Sequence, residues 1–131
     1  MRPLRVLESC LYVDDLEAAV RFYGEALGLE MVSRVEGRHA FFRCGESMVL
    51  LFDPARTEVA DAGVPPHGAR GPGHLAFAVA EGDLPRWRDA LERSGVAIEA
   101  EIEWPRGGRS LYLRDPDGNS VELATASIWG L

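Results

Sequence analysis

Apolar and polar positions alternate with a period of two over residues 7–13, "LESCLYV": Leu7, Ser9, Leu11 and Val13 fall on one side, and Glu8, Cys10 and Tyr12 on the other. That pattern predicts a strand with one face on a helix. The period then lengthens. In "DDLEAAVRFYGEALGLE", Leu16, Ala19, Val20, Tyr23 and Leu27 make an apolar stripe at helical spacing. Asp14 or Asp15 is placed to cap the start of this helix, and Gly28 to end it in a left-handed conformation. Three short strands are expected next, over 30–35, 39–44 and 47–52, with "CGE" as the tight turn between the last two.

The same order then recurs. "GHLAFAV" (73–79) alternates, with Leu75, Phe77 and Val79 on one face. "DLPRWRDALERSG" reads as a helix with Asp83 as its cap, Leu84, Trp87 and Leu91 on its stripe and Gly95 as its stop. Strands near 97–103, 109–114 and 120–125 complete the second half. The chain is therefore expected to be α+β, built from two βαβββ modules, 1–52 and 74–131. Neither module has the residues for a good core alone, so the two are expected to pack together or against a second subunit. Between them, "DPARTEVADAGVPPHGARGPG" (53–73) carries four prolines and four glycines and no periodicity, which fits a functional lid or a mobile linker.

Charge narrows the choice of partners. Lys and Arg number 14 against 21 Asp and Glu, a formal net charge of −7. A nucleic-acid partner needs a basic surface and is not expected, whereas small cationic molecules and metal ions suit an acidic protein. No apolar run has the length of a secretory core or a membrane span, so a cytoplasmic location is expected. The two cysteines, Cys10 and Cys44, read as small buried hydrophobes in a reducing compartment.

Against that background three polar side chains stand out. Aligning the halves on their first strands sets Glu8 over His74, both on the face away from the helices. On the last strand, Glu122 lies between Val121 and Leu123 and faces the same way. One imidazole and two carboxylates aimed into one cavity suit a divalent cation with open coordination positions, because a metal compensates charges that are otherwise expensive to bury. Mixed nitrogen and oxygen ligation favours Fe, Mn, Ni, Co or Zn without choosing among them. The plainer alternatives are a solvated edge carboxylate for Glu122, a hydrogen-bonded core histidine for His74 and an exposed acid near the chain start for Glu8.

"LYVDDLEAAVRFYGEALGLE", "GPGHLAFAV" and "SLYLRDPDGNSVEL" together resemble the vicinal oxygen chelate superfamily, which includes glyoxalase I, bleomycin- and fosfomycin-resistance proteins and extradiol dioxygenases. The resemblance spans roughly residues 4–126. It implies paired βαβββ modules forming a cup, often completed across a homodimer, with one metal ion held by Glu8, His74 and Glu122 and a small oxygenated substrate. Two departures stand out. The first-strand ligand is usually His and is Glu8 here. The carboxylate that glyoxalase I draws from the last strand of its first half is missing, since the candidates in "SMVLLF", Val49 and Leu50, are apolar.

The expected function is a metal-dependent enzyme that chelates two neighbouring substrate oxygens. A bleomycin-resistance-type protein that binds a cationic drug without catalysis is the alternative. Glu8 or the loop histidine His67 would serve as base, with His67 otherwise solvent-exposed. Tyr12, Ser110 and Tyr112 alternate toward the cavity as candidate substrate contacts, the Ser and Tyr matching substrate-contacting positions of fosfomycin-resistance relatives. Cys10 lies beside them, and Arg43 or Arg109 could hold an anionic group. Trp104 and Trp129 are expected to pack, and the tail "SIWGL" to offer a subunit contact.

Overall fold

The computed structural model describes residues 1–60 and 63–131; Asp61 and Ala62 of the connecting segment lie outside the described residues. The first module runs β1 (Glu8–Tyr12), α1 (Leu16–Val20, continued as a wider π-helical turn over Arg21–Ala26), β2 (Glu30–Val35), β3 (His39–Cys44) and β4 (Ser47–Phe52). A short helix, α2 (Pro54–Thr57), opens the connection. The second module runs β5 (His74–Ala78), α3 (Leu84–Arg93), β6 (Ile98–Glu103), β7 (Arg109–Arg114) and β8 (Ser120–Ala124). The strands form two four-stranded sheets, ordered β1-β4-β3-β2 and β5-β8-β7-β6. In each, the first strand runs parallel to the last and the other pairings are antiparallel. The expected pair of βαβββ modules is present.

Both helices end where glycine permits a left-handed residue, at Gly28 (φ 71°) and Gly95 (φ 70°). Asp15 caps α1 by accepting from Ala18 N at 2.9 Å. Asp83 differs from expectation. Its carboxylate makes no capping bond to the backbone and instead meets Arg86 Nη1 at 3.2 Å, because a 3-10 turn over Glu81–Asp83 already leads into α3. The first helix also departs from a regular α-helix: Leu27 N bonds Phe22 O, five residues back. That wider turn buries Phe22 and Tyr23 together, although they are neighbours in sequence. Leu7, expected on the packed side, is 62% exposed because β1 begins only at Glu8.

One continuous core joins the modules, including Leu11, Val13 and Leu51 from the first and Phe77, Leu111 and Leu123 from the second. Several of the buried polar groups are paired, Tyr23, Asp115 and Asn119 among them. Tyr23 Oη donates to Asp115 Oδ2 at 2.8 Å, which ties α1 to the β7–β8 turn. Burial and the adjacent Asp115 carboxylate push the Tyr23 hydroxyl well above the usual tyrosine range. Tyr23→Phe is expected to destabilise the protein by about 1–3 kcal/mol, since a buried carboxylate oxygen loses a donor. The shift in urea midpoint reads this directly, and no shift would contradict it.

Candidate metal and substrate site

Strand register decides which side chains share a face. In the second module His74 pairs with Ser120, Ala76 with Glu122 and Tyr112 with Glu122, so His74, Glu122, Tyr112 and Ser110 lie on the face away from the helices. In the first module Glu8 pairs with Met48, Cys10 with Leu50 and Tyr12 with Phe52 on the equivalent face. Glu8 and His74 are thus module counterparts, and so are Leu50 and Glu122. The first-half position matching Glu122 is Leu50; Val49 points into the core.

His74 and Glu122 come together. His74 Nε2 lies 3.3 Å from Glu122 Oε2. Nδ1 of the same ring lies 3.1 Å from the Ser120 carbonyl, to which it can only donate. In the neutral ring, Nε2 then carries a lone pair, and it faces a carboxylate oxygen. Two acceptors in that position require a proton or a cation between them. Glu122 is 5% exposed, and its second oxygen, Oε1, is buried without a hydrogen-bond partner among the described residues. An orphaned carboxylate oxygen is costly in a protein interior. Two ligands about 2.1 Å from one ion stand about 3.0 Å apart at a right angle and about 3.4 Å apart at the tetrahedral angle. The observed separation falls in that interval, and the residues present fit a divalent metal.

Glu8 does not complete the set within one chain. It is exposed at the start of β1, and among the described residues no three His, Cys, Asp or Glu side chains converge closely enough to hold an ion. A cavity of about 240 Å³ does bring the two modules' faces together further along β1, with Cys10, Tyr12, Gly71, His74 and Asn119 in its wall. The Tyr112 ring stacks near His74, centroids 6.3 Å apart. Burial raises the Tyr112 hydroxyl above its usual range, and the Glu122 carboxylate adds to the effect. Ser110 is fully buried and accepts from Trp104 Nε1 at 2.8 Å. An indole nitrogen only donates, so Ser110 keeps its own proton for the neighbouring Tyr112 hydroxyl.

His67 is held on the first module rather than in solvent. Its Nδ1 lies 2.7 Å from Tyr12 Oη, its ring meets Phe52 edge-on at 4.7 Å, and its backbone N–H bonds Thr57 O. Desolvation holds the Tyr12 hydroxyl above its usual range, with the neighbouring Cys10 contributing. The Arg70–Glu58 ion pair fastens the same part of the connection at 2.5 and 2.8 Å. Arg43 shares the Glu8 face but is exposed and sits 3.7 Å from Glu30, while Arg109 Nη2 lies 3.8 Å from Glu103. Cys10 and Cys44 are both free thiols, but neither is buried as expected: Cys10 is exposed and Cys44 half-buried. Trp129 corrects the expectation that it packs: it is 80% exposed, on a short 3-10 turn that ends at left-handed Gly130.

Residues 5–123 match the family model described as the Glyoxalase/Bleomycin resistance protein/Dioxygenase superfamily. The chain belongs to this superfamily. Among superfamily relatives, the glutathione transferase FosA of Serratia marcescens is 37% identical over 122 residues, covering 90% of this chain and 78% of its own. The metallothiol transferase FosB of Bacillus licheniformis is 30% identical over 122 residues, covering 89% and 72%. A crystal structure of lactoylglutathione lyase from Agrobacterium tumefaciens superimposes with a TM-score of 0.95 at 42% identity, covering 99% of both chains. No helix among the described residues is long and apolar enough to cross a membrane.

Sequence reasoning missed the partners of the β7–β8 turn. The "DPDGN" string has the composition of a turn, but Asn119 reaches Gly73 and Tyr12, and Asp115 reaches Tyr23, across distances in sequence that no local pattern reports. His39 opens β3. It is buried, with its ring stacked 4.0 Å from Phe41. Burial, and secondarily Arg38, lowers its pKa below the ordinary histidine value. The unfolded chain therefore binds a proton near pH 6.5 that the folded chain resists, so stability falls as pH drops below that value. His39→Gln is expected to flatten this decline between about pH 7 and 5.5 in urea titrations, relative to the parent protein. Parallel profiles would contradict it.

Proposed function

We propose that this protein is a divalent-metal-dependent enzyme acting on a small oxygenated molecule, with His74 and Glu122 of one chain and Glu8 of a second copy as the metal ligands. The observation that carries the reading is the His74–Glu122 pair: an imidazole nitrogen and a carboxylate oxygen 3.3 Å apart, beside a buried carboxylate oxygen with no hydrogen-bond partner among the described residues. Support for placing Glu8 in a second copy's site comes from its exposure and from its absence from any three-residue group among the described residues. Exposed apolar side chains on the first module, Leu4, Val6, Leu7, Met31, Val32 and Val35, are surface for a homodimer contact.

A bound divalent ion supplies Lewis-acid stabilisation of negative charge on two adjacent substrate oxygens. The chain's own groups do the rest. Ser110 takes its hydrogen bond from Trp104 and gives its own to the Tyr112 hydroxyl, and Tyr112 presents a protonated hydroxyl to a substrate oxygen. Glu8 and the Tyr12–His67 pair are the groups able to hold or move a proton, and Cys10 and Arg43 border the substrate. Group transfer is favoured over isomerisation, because Leu50 stands where a proton-moving carboxylate would be needed. The relatives named as glutathione transferase, metallothiol transferase and lactoylglutathione lyase support a thiol as co-substrate.

A second reading rests on the aromatic face of the first module, where Phe41 and Phe52 meet at 5.3 Å and Tyr12 and Phe52 at 6.3 Å. With a net charge of −7, such a face suits a cationic drug bound without catalysis. Metal content after chelator-free purification, followed by turnover assays on metal-loaded protein with glutathione and epoxide antibiotics, glutathione hemithioacetals or catechols, separates the two. The enzyme reading expects stoichiometric metal and turnover of one substrate class. Metal-free protein that binds a cationic drug tightly would replace it with the binder.

A further inference from the structure

We infer that Asn119 is the positioning residue for the His74–Glu122 pair: its side chain sets where β5 begins relative to β8, and so where the imidazole stands relative to the carboxylate. This rests on the reading of that pair as metal ligands.

Asn119 is 2% exposed and uses its whole amide. Oδ1 accepts from Gly73 N at 2.7 Å; Nδ2 donates to Asp115 Oδ2 at 2.8 Å and to the Tyr12 carbonyl at 3.3 Å. The orientation of the amide is forced, because a carboxylate and a carbonyl can only accept and a backbone N–H can only donate. Asp115 is anchored in turn by the Tyr23 hydroxyl and by the backbone N–H groups of Asp117 and Asn119. One side chain thus joins the end of β1, the β7–β8 turn and the residue just before His74.

From Gly73 the contacts continue directly into the site. Ser120 N donates to Gly73 O at 2.9 Å, and His74 Nδ1 donates to Ser120 O. The three bonds alternate between the strands and end on the imidazole, fixing its tautomer and leaving Nε2 toward Glu122. The Asn119 amide oxygen is not needed to close the turn, since Asp115 N bonds Asn119 O and Gly118 N bonds Asp115 O through the backbone alone. Its one partner is the chain entering β5. The approach there is close: a Cβ on Gly73 would lie 2.9 Å from Leu11 Cδ2 and 3.4 Å from Asn119 Oδ1. Groups that orient a metal-binding histidine from outside the coordination shell are typically worth about 10–100-fold in metal affinity.

The experiment is a Co²⁺ titration of folded protein, followed by calorimetry and visible absorption, for the parent, His74→Ala, Asn119→Ala, Gly73→Ala and Tyr23→Phe, each well below its own thermal midpoint. Tyr23→Phe also removes a bond to Asp115 but leaves Gly73 untouched, so it controls for lost stability. The expected result is Co²⁺ binding weakened about 10–100-fold in Asn119→Ala, with parent affinity retained by Tyr23→Phe. Gly73→Ala is expected to weaken binding likewise, and decides the matter if Asn119→Ala does not fold. Parent-like Co²⁺ affinity in the folded variant, or equal weakening in Tyr23→Phe, overturns the role of Asn119 while leaving the metal reading intact. A parent protein that binds Co²⁺ no better than His74→Ala overturns both.

Discussion

Glu122→Gln is expected to lower divalent-metal affinity by at least about 100-fold and, without metal, to leave the protein as stable as its parent or more so. Both halves of that outcome follow from one geometry. The carboxylate is buried, one oxygen has no hydrogen-bond partner among the described residues, and the other lies 3.3 Å from His74 Nε2. A glutamine of the same shape removes the buried charge, and its amide can donate to His74 Nε2. The metal-free pair is then better satisfied, while the anionic ligand is gone. A carboxylate kept only to stabilise the fold predicts the opposite, a loss of stability on amidation with no change in metal binding. Thermal unfolding in excess chelator and a metal titration on the same preparations distinguish the two outcomes.

Mixing two inactive variants is expected to restore metal sites. Glu8→Ala and His74→Ala each remove one ligand from every site of a homodimer. If Glu8 comes from the second copy, a mixed dimer has one site lacking both ligands and one site lacking neither. Random exchange of subunits should then recover about a quarter of the parent's metal sites. Ligands contributed within one chain would give no recovery at any mixing ratio. The assay needs no knowledge of the substrate, since metal stoichiometry is the readout.

The periodicities that define βαβββ were local and therefore legible. Leu11 and Val13, and Leu75 and Phe77, alternate over a few residues, and the glycines at 28 and 95 mark helix ends that depend on backbone sterics alone. The pairing of His74 with Glu122 was legible too, because two strands in parallel register carry their faces along with them. Other features depend on groups far apart in sequence. The bonds of Asn119 to Gly73 and of Tyr23 to Asp115 cross from one module or strand to another, and the docking of His67 on Tyr12 spans the connecting segment. The position of Glu8 shows the limit of pattern reasoning. Its face followed from alternation, yet which chain's histidine it meets depends on how modules pack, a property of surfaces rather than of spacing.

Anomalous diffraction from crystals grown with Mn²⁺ or Co²⁺ tests the central claim most directly. The account predicts one strong peak per site, about 2.0–2.2 Å from His74 Nε2 and from a Glu122 carboxylate oxygen, with Glu8 of a neighbouring copy as the third ligand. His74 and Glu122 still facing each other across their gap with no peak, under saturating metal, would contradict it.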